Sequence, residues 1–454
     1  MRILHIGSGF RPFRRGGLVA YVEDLMDAQV ARGDEVAYFF SGRSYPLVPG
    51  PRLRRWRRGG VAMLEMLNSP LYDHGRQPRR EVAEPHVERL AREVIAEVRP
   101  DVVHVQELAG LPSSVLDVAR DAGVPVVVTL QDYFLLCPTF KLLDAAGQVC
   151  LRREIGADCV ATTALDGRHR GLMYEETVRH DAPRLPDLAA RAAAKLAPPQ
   201  RESARPDASA FQRRRDVNVE RLSRADVVIA MSHRVAEIHA QLGVDPARLR
   251  TVALTLAHIE RLTPRTPRPG ASVTFATLAA FESIPKGGRL LLDALHAMRA
   301  APGSFRLLVF GYADPMFVRE AEALAGVELR GPFKPADLDG LLDEVDVGLM
   351  TSVWEEAYGY AGVEFLAKGI PLVANAIGGV VDYVRDGETG WLNASRSAAE
   401  LAALLDRLAA DPGEVAVMAA RVRERRDAIV KPMSVHADEM DAIYRDCVTA
   451  TRAV

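Results

Sequence analysis

The chain has 454 residues, 48% hydrophobic and 26% charged, with a formal net charge of -2. That length exceeds the ~250–300 residues at which a single hydrophobic core stops growing, so two domains are expected. The near-zero charge supplies no global attraction to nucleic acid or anionic membrane, and no run approaches the ~20 apolar residues of a membrane span.

Met1-Arg-Ile-Leu-His-Ile-Gly7 reads as a core strand entering a glycine turn. It lacks the long apolar stretch and cleavage site of a signal peptide, so a cytoplasmic protein is expected, with room for peripheral contact at the inner membrane face. Gly16 and Gly17 close the turn ahead of a helix near 19–32, where backbone can approach a ligand closely. A strand at 35–40 follows. Pro51–Gly59, strongly basic around Trp56, is expected to be an irregular solvated loop; its sharper reading is a patch for an anionic acceptor or a lipid surface.

Apolar, β-branched runs then recur at 102–105, 124–129, 227–231 and 250–253, separated by helical patterns, which signals a parallel sheet covered on both faces. Two of these runs end in polar groups: His104, Gln106 and Glu107 in one, Gln131 and Asp132 in the other. The carboxyl ends of parallel strands face the ligand crevice, which makes these side chains candidate ligand contacts. Cys137, Cys150 and Cys159 fall close together with His169 behind them. Their spacings are wide and no C-x-x-C pair occurs, so unpaired thiols in a reducing compartment are expected in preference to a metal site. The stretch 138–215, rich in Arg, Ala and Pro from Cys150 on, reads as a helical insertion that could cover an acceptor.

Thr263–Gly270 carries three prolines and a glycine, which suit neither helix nor central strand. It is expected to link a first domain, 1–262, to a second, 271–431, with 432–454 a terminal helix that crosses back. The second half repeats the alternation, with strands at 272–277, 306–310, 327–330, 347–350 and 371–374 and a helix at 287–299. Lys286 stands at the entrance of that helix, placed to meet an anion as a point charge.

The most telling stretch is Glu356-Ala-Tyr-Gly-Tyr-Ala-Gly-Val-Glu364. It predicts a turn holding Glu356, then a helix with Glu364 about one turn inside. The free N–H groups of the helix start near Tyr358, Gly359 and Tyr360 favour an anion. Carboxylates on either side would accept hydrogen bonds from hydroxyls. Phosphates joined to hydroxyl-rich groups describe a nucleotide sugar.

These elements together resemble a retaining glycosyltransferase of family 4 (glycosyl transferases group 1), over nearly the whole chain. The resemblance is carried by Gly16-Gly17, Arg99-Pro-Asp-Val-Val-His-Val105, Asp132-Tyr-Phe-Leu-Leu-Cys-Pro138, Lys286-Gly287, Ser352 to Glu364, Gly378-Gly379 and Asp386-Gly-Glu-Thr-Gly390. It implies the GT-B fold: two Rossmann-like α/β domains whose parallel sheets face a central cleft. It also implies a UDP-, GDP- or ADP-sugar donor, a hydroxyl acceptor, no required cofactor and no bound metal. By the same resemblance Glu364 binds ribose, Glu356 the donor sugar, and Lys286 the diphosphate, helped by backbone at Tyr358–Tyr360 and Gly16–Gly17. Glu356, Gln131 and Lys286 become the candidate catalytic residues, and His104, Glu107 and Asp132 the acceptor side.

Two positions depart from the family. Gln131 stands where relatives commonly have His, and Phe281 where they commonly have an Arg that shares the diphosphate with the Lys. Arg11, Arg14 and Arg15 of the glycine loop are the expected replacement cations. A catalytically degenerate binding partner and a nucleotide-sugar epimerase of the same fold are the alternative readings.

Overall fold

The computed structural model describes residues 1–14, 16–45, 50–71, 77–162, 169–196, 207–266, 272–301 and 303–452. Arg15 and residues 267–270 of the proline-rich segment lie outside the described residues. Among those described, one sheet contains β1 (Arg2–Ser8), β2 (Glu35–Ser41), β3 (Arg52–Arg58), β4 (Val61–Leu67), β5 (Val102–Val105), β6 (Val126–Leu130), β7 (Val227–Ala230) and β8 (Leu249–Thr251). Their spatial order is β3-β4-β2-β1-β5-β6-β7-β8. The second sheet contains β9 (Val273–Thr277), β10 (Phe305–Phe310), β11 (Val327–Gly331), β12 (Val347–Met350), β13 (Leu372–Asn375) and β14 (Gly390–Asn393), in the order β11-β10-β9-β12-β13-β14. Every pairing but β3–β4 is parallel.

The parallel pairing follows from the residues. β5, β6, β9, β12 and β13 are buried along their whole length, as strands covered on both faces must be. Helices such as Gly17–Ala31 and Gly288–Ala297 supply the crossovers.

The basic segment is not a loop. Arg52–Arg58 pairs antiparallel with Val61–Leu67 across the turn Gly59-Gly60 and forms the edge of the first sheet. The two-glycine turn between two seven-residue runs was a hairpin signal, masked because arginines fill positions where apolar residues usually alternate. Those arginines are largely committed. Arg55 binds Glu93 and Glu97, Arg58 binds Glu23, and Trp56 donates to Glu65. A charged edge also discourages pairing with another chain.

The terminal helix, Met433–Arg452, lies on the first sheet's side. Tyr21 Oη meets His436 Nε2 at 2.9 Å, and Tyr444 Oη meets His104 Nδ1 at 2.6 Å. Among the described residues no helix is long and apolar enough to cross a membrane.

The two sheets face each other at their carboxyl ends. Helix His233–Gln241, capped by Ser232, spans the junction: Ser232 Oγ donates to Ala357 O at 2.9 Å. The backbone N–H of His233 donates to Asp382 at 2.7 Å. Arg234 grips the buried Glu355 at 2.6 and 3.1 Å. The first domain thus braces the loop that carries Glu356.

Candidate active site

Glu356 sits in the loop between β12 and helix Tyr360–Ala367, and Glu364 lies inside that helix. Glu356 is buried, with Lys286 Nζ 2.5 Å from one carboxylate oxygen and Ser352 Oγ 2.5 Å from the other. Burial alone would push its pKa up. The Lys286 charge and the hydrogen bonds from Lys286 and Ser352 outweigh that and hold it below the usual carboxylate range. Glu356 is therefore an anion at neutral pH, clasped to a cation that a phosphate could take over.

Lys286 reaches this place because the chain turns sharply behind it. Gly287 has φ 74°, and a Cβ there would lie 1.9 Å from the carbonyl oxygen of Thr351. Thr351 Oγ1 donates to Lys286 O at 3.1 Å, and Val353 N to Pro285 O at 2.9 Å, so two loops of the second domain are stitched together. Only glycine admits both the backbone conformation and the contact.

Glu364 accepts from His258 Nε2 at 2.7 Å. Across the cleft, a Cβ on Gly17 would meet the Tyr360 ring at 2.7 Å, so the glycine loop of the first domain closes onto the helix start of the second. Gly16 caps helix Gly17–Ala31, opposite Gly359, which caps Tyr360–Ala367. Tyr358 is buried, so its backbone is what it can offer a ligand.

The acceptor side is arranged differently from the sequence reading. His104 is fully buried within β5. Its Nε2 is hydrogen-bonded to Thr129 Oγ1 at 2.7 Å and its Nδ1 to Tyr444 Oη. Burial depresses its pKa far below the ordinary value, aided by His5 and His436. It faces the terminal helix, not the cleft, and cannot touch an acceptor. Gln106, two residues on and on the same face, carries the network outward to the cleft: its Oε1 accepts from Gln131 Nε2 at 3.1 Å. Among the described residues Gln131 Oε1 has no partner, buried in the cleft-side cavity that Glu107 and Asp132 also line.

Glu107 is bound by both terminal nitrogens of Arg14, at 2.8 and 2.9 Å. Arg14 also donates to Ser8, and Arg11 is held by Glu23 and Asp24. Neither arginine is free for a diphosphate in this structure. The carboxyl of Asp132 is pushed up to about 7 by burial and by Glu107, against the Phe134 N–H, Arg14 and Arg214.

Cys137, Cys150 and Cys159 line one small cavity with Arg152 and Arg215. Arg152 donates to Cys159 Sγ at 2.9 Å. Among the described residues no three side chains are placed to hold a metal ion, and the side chain of His169 is outside them.

A family model for the glycosyl transferase 4-like domain matches residues 16–255, and one for glycosyl transferases group 1 matches residues 272–411. The chain belongs to the group 1 glycosyltransferases. Among the relatives of this glycosyltransferase is a 2-deoxystreptamine glucosyltransferase of Streptomyces kanamyceticus, 32% identical over 47% of this chain and 58% of that protein. A D-inositol 3-phosphate glycosyltransferase of Corynebacterium aurimucosum is 33% identical over 28% of this chain and 31% of that protein. The chain thus spans about a third to three-fifths of these curated relatives' lengths. The crystal structure of Anabaena HepE in complex with UDP superposes with a TM-score of 0.60 at 15% identity, covering 98% of this chain and 99% of that one. That likeness establishes the fold as GT-B.

Two groups at the glycosyltransferase cleft escaped the sequence reading. His258 comes from an irregular stretch before the linker, where no periodicity or motif marks it. Arg234 looked like any exposed first-turn residue of a helix. Only the facing Glu355 gives it meaning.

Proposed function

We propose that this group 1 glycosyltransferase transfers a sugar from a nucleoside-diphosphate sugar to an acceptor hydroxyl with retention of anomeric configuration. The observation that carries the reading is the Glu356–Lys286 clasp at the start of helix Tyr360–Ala367, with Gly16–Gly17 facing it. Unpaired N–H groups at the helix start and the Lys286 ammonium suit a diphosphate, and the two carboxylates suit hydroxyls. When the donor enters, its phosphates take Lys286 from Glu356, and Glu356 turns to the donor sugar. Ribose hydroxyls share Glu364 with His258. As the anomeric bond breaks, negative charge grows on the leaving phosphate. Fixed donors aimed at that charge lower the barrier without reorganising. Attack from the same face accounts for retention, with an oxocarbenium-like transition state. UDP is the first nucleotide to test, since the HepE structure holds it.

One observation favours a binding protein without turnover: Phe281, in place of a cation, is packed into the core. The same assays separate the two. Glu364→Ala should weaken nucleotide binding about 10- to 100-fold, as loss of charged hydrogen bonds does. Glu356→Ala should lower turnover about 100-fold or more with smaller loss of affinity. Nucleotide affinity and turnover unchanged in both variants would mean that the site lies elsewhere. Binding without any acceptor-dependent release of nucleoside diphosphate would favour the binding protein.

A further inference from the structure

Phe281 leaves the diphosphate site one cation short of the family pattern. Its ring is 2% exposed and 4.7 Å from that of Phe317, so this position serves the core. The glycine-loop arginines are engaged by carboxylates, Arg14 by Glu107 and Arg11 by Glu23. A different cation approaches from the first domain.

Lys141 lies in the loop after β6, between two residues that anchor it. Leu142 is fully buried, and Phe140 stacks on Phe134 with ring centroids 5.1 Å apart. Both anchors adopt left-handed backbone, with φ 64° at Phe140 and φ 51° at Leu142. Two non-glycine residues in that region flanking one lysine are costly, and such strain concentrates where a side chain must be aimed. The loop continues into the Leu143–Val149 bridge and reaches the second domain: a Cβ on Gly147 would lie 3.8 Å from Ile284, two residues before Lys286.

Lys141 is half-buried, and no hydrogen bond or ion pair links it to any described residue. Desolvation and the charge of Lys286 both push its pKa down. The loop that carries Lys141 packs against the segment leading to Lys286, and with no carboxylate of Lys141's own among the described residues, an anion between the two segments of this contact would relieve the repulsion between their charges.

We propose that Lys141 is the second cation of the diphosphate site, delivered from the first domain to the phosphates that Lys286 holds from the second. The assignment rests on the transferase reading. It deepens it in one respect: because Lys141 belongs to the opposite domain, full neutralisation of the leaving group requires a closed cleft. Substrate closure and leaving-group stabilisation become one event.

Calorimetric titration of UDP, GDP and ADP, each beside its nucleoside, tests this in the wild type and in Lys141→Met, Lys141→Arg and Lys286→Met. Lys141→Met should weaken the preferred diphosphate about tenfold or more and leave the nucleoside unchanged, with Lys141→Arg restoring most of the loss. Its melting temperature without ligand should be no lower than wild type, because a desolvated, repelled cation has been removed. A diphosphate affinity within about twofold of wild type in Lys141→Met, while Lys286→Met loses it, overturns the assignment alone. Equal weakening of the nucleoside also overturns it. If the wild type binds none of the three diphosphates, the transferase reading fails and Lys141 falls with it.

Discussion

The donor side of the cleft and the acceptor side are built on different principles. On the donor side the chemistry is written in short segments, Lys286-Gly287 and Ser352 to Glu364, whose backbone fixes where each side chain points. On the acceptor side Glu107, Gln131 and Asp132 leave separate strand ends, and their partners come from afar: Arg14 from the glycine loop, Gln106 from the neighbouring strand. The first is a local geometry and tolerates little change. The second is a network whose members hold one another.

Paired glycine substitutions give the largest contrast. Gly287→Ala would place a methyl 1.9 Å from a backbone carbonyl, which cannot move without pulling the Thr351–Lys286 stitch apart. Gly16→Ala meets nothing within 4 Å, although φ 123° is strained for any side chain. Gly287→Ala should cost about 3 kcal/mol or more, and Gly16→Ala about 1–2 kcal/mol from backbone strain alone. Urea denaturation measures both. Equal losses would show that the donor loops of the second domain are no more rigid than the glycine loop of the first.

What could be read from the residues follows the same division. The alternation of buried strands and helices and the place of Glu364 in its helix were legible, because sequence spacing sets them, whereas Lys286 and Glu356, 70 residues apart, were joined only through the family resemblance. The β3–β4 hairpin was hidden by arginine stems standing in for apolar residues, despite its Gly59-Gly60 turn. β14 also went unread: Gly390–Asn393 is four residues long and begins on a glycine. His104 was misplaced for a physical reason. A polar residue near a strand end can face the cleft or the layer beneath it, and only the terminal helix, some 340 residues on, decides that it faces Tyr444. Arg14 could not be excluded from the phosphate site until Glu107 was seen opposite it.

His104 offers the next test. His104→Ala removes a buried ring, strands Thr129 Oγ1 and leaves Tyr444 Oη with Gln29 alone. The expected loss is about 2 kcal/mol of stability, with acceptor KM unchanged at a temperature where the variant is folded. A raised acceptor KM with full stability would return His104 to the cleft and erase the contrast between the two sides.

The smallest effect is also the most specific to the acceptor side. Asp132 titrates in the folded protein at about 7, above the ~3.9 of an unfolded chain. A raised folded pKa means that the native state holds the proton more tightly. Its stabilising contribution is complete below pH ~4 and is lost as the pH climbs through 7. Asparagine keeps an oxygen for the Phe134 N–H but carries no charge to bury beside Glu107. Asp132→Asn should therefore match wild type near pH 4 and exceed it by about 1 kcal/mol at pH 8, a figure reduced for solvent screening at a half-buried carboxyl. Thermal melts at the two pH values decide it. A constant offset would mean that Asp132 is ionised throughout, with Arg14 serving both carboxylates instead of Glu107 alone.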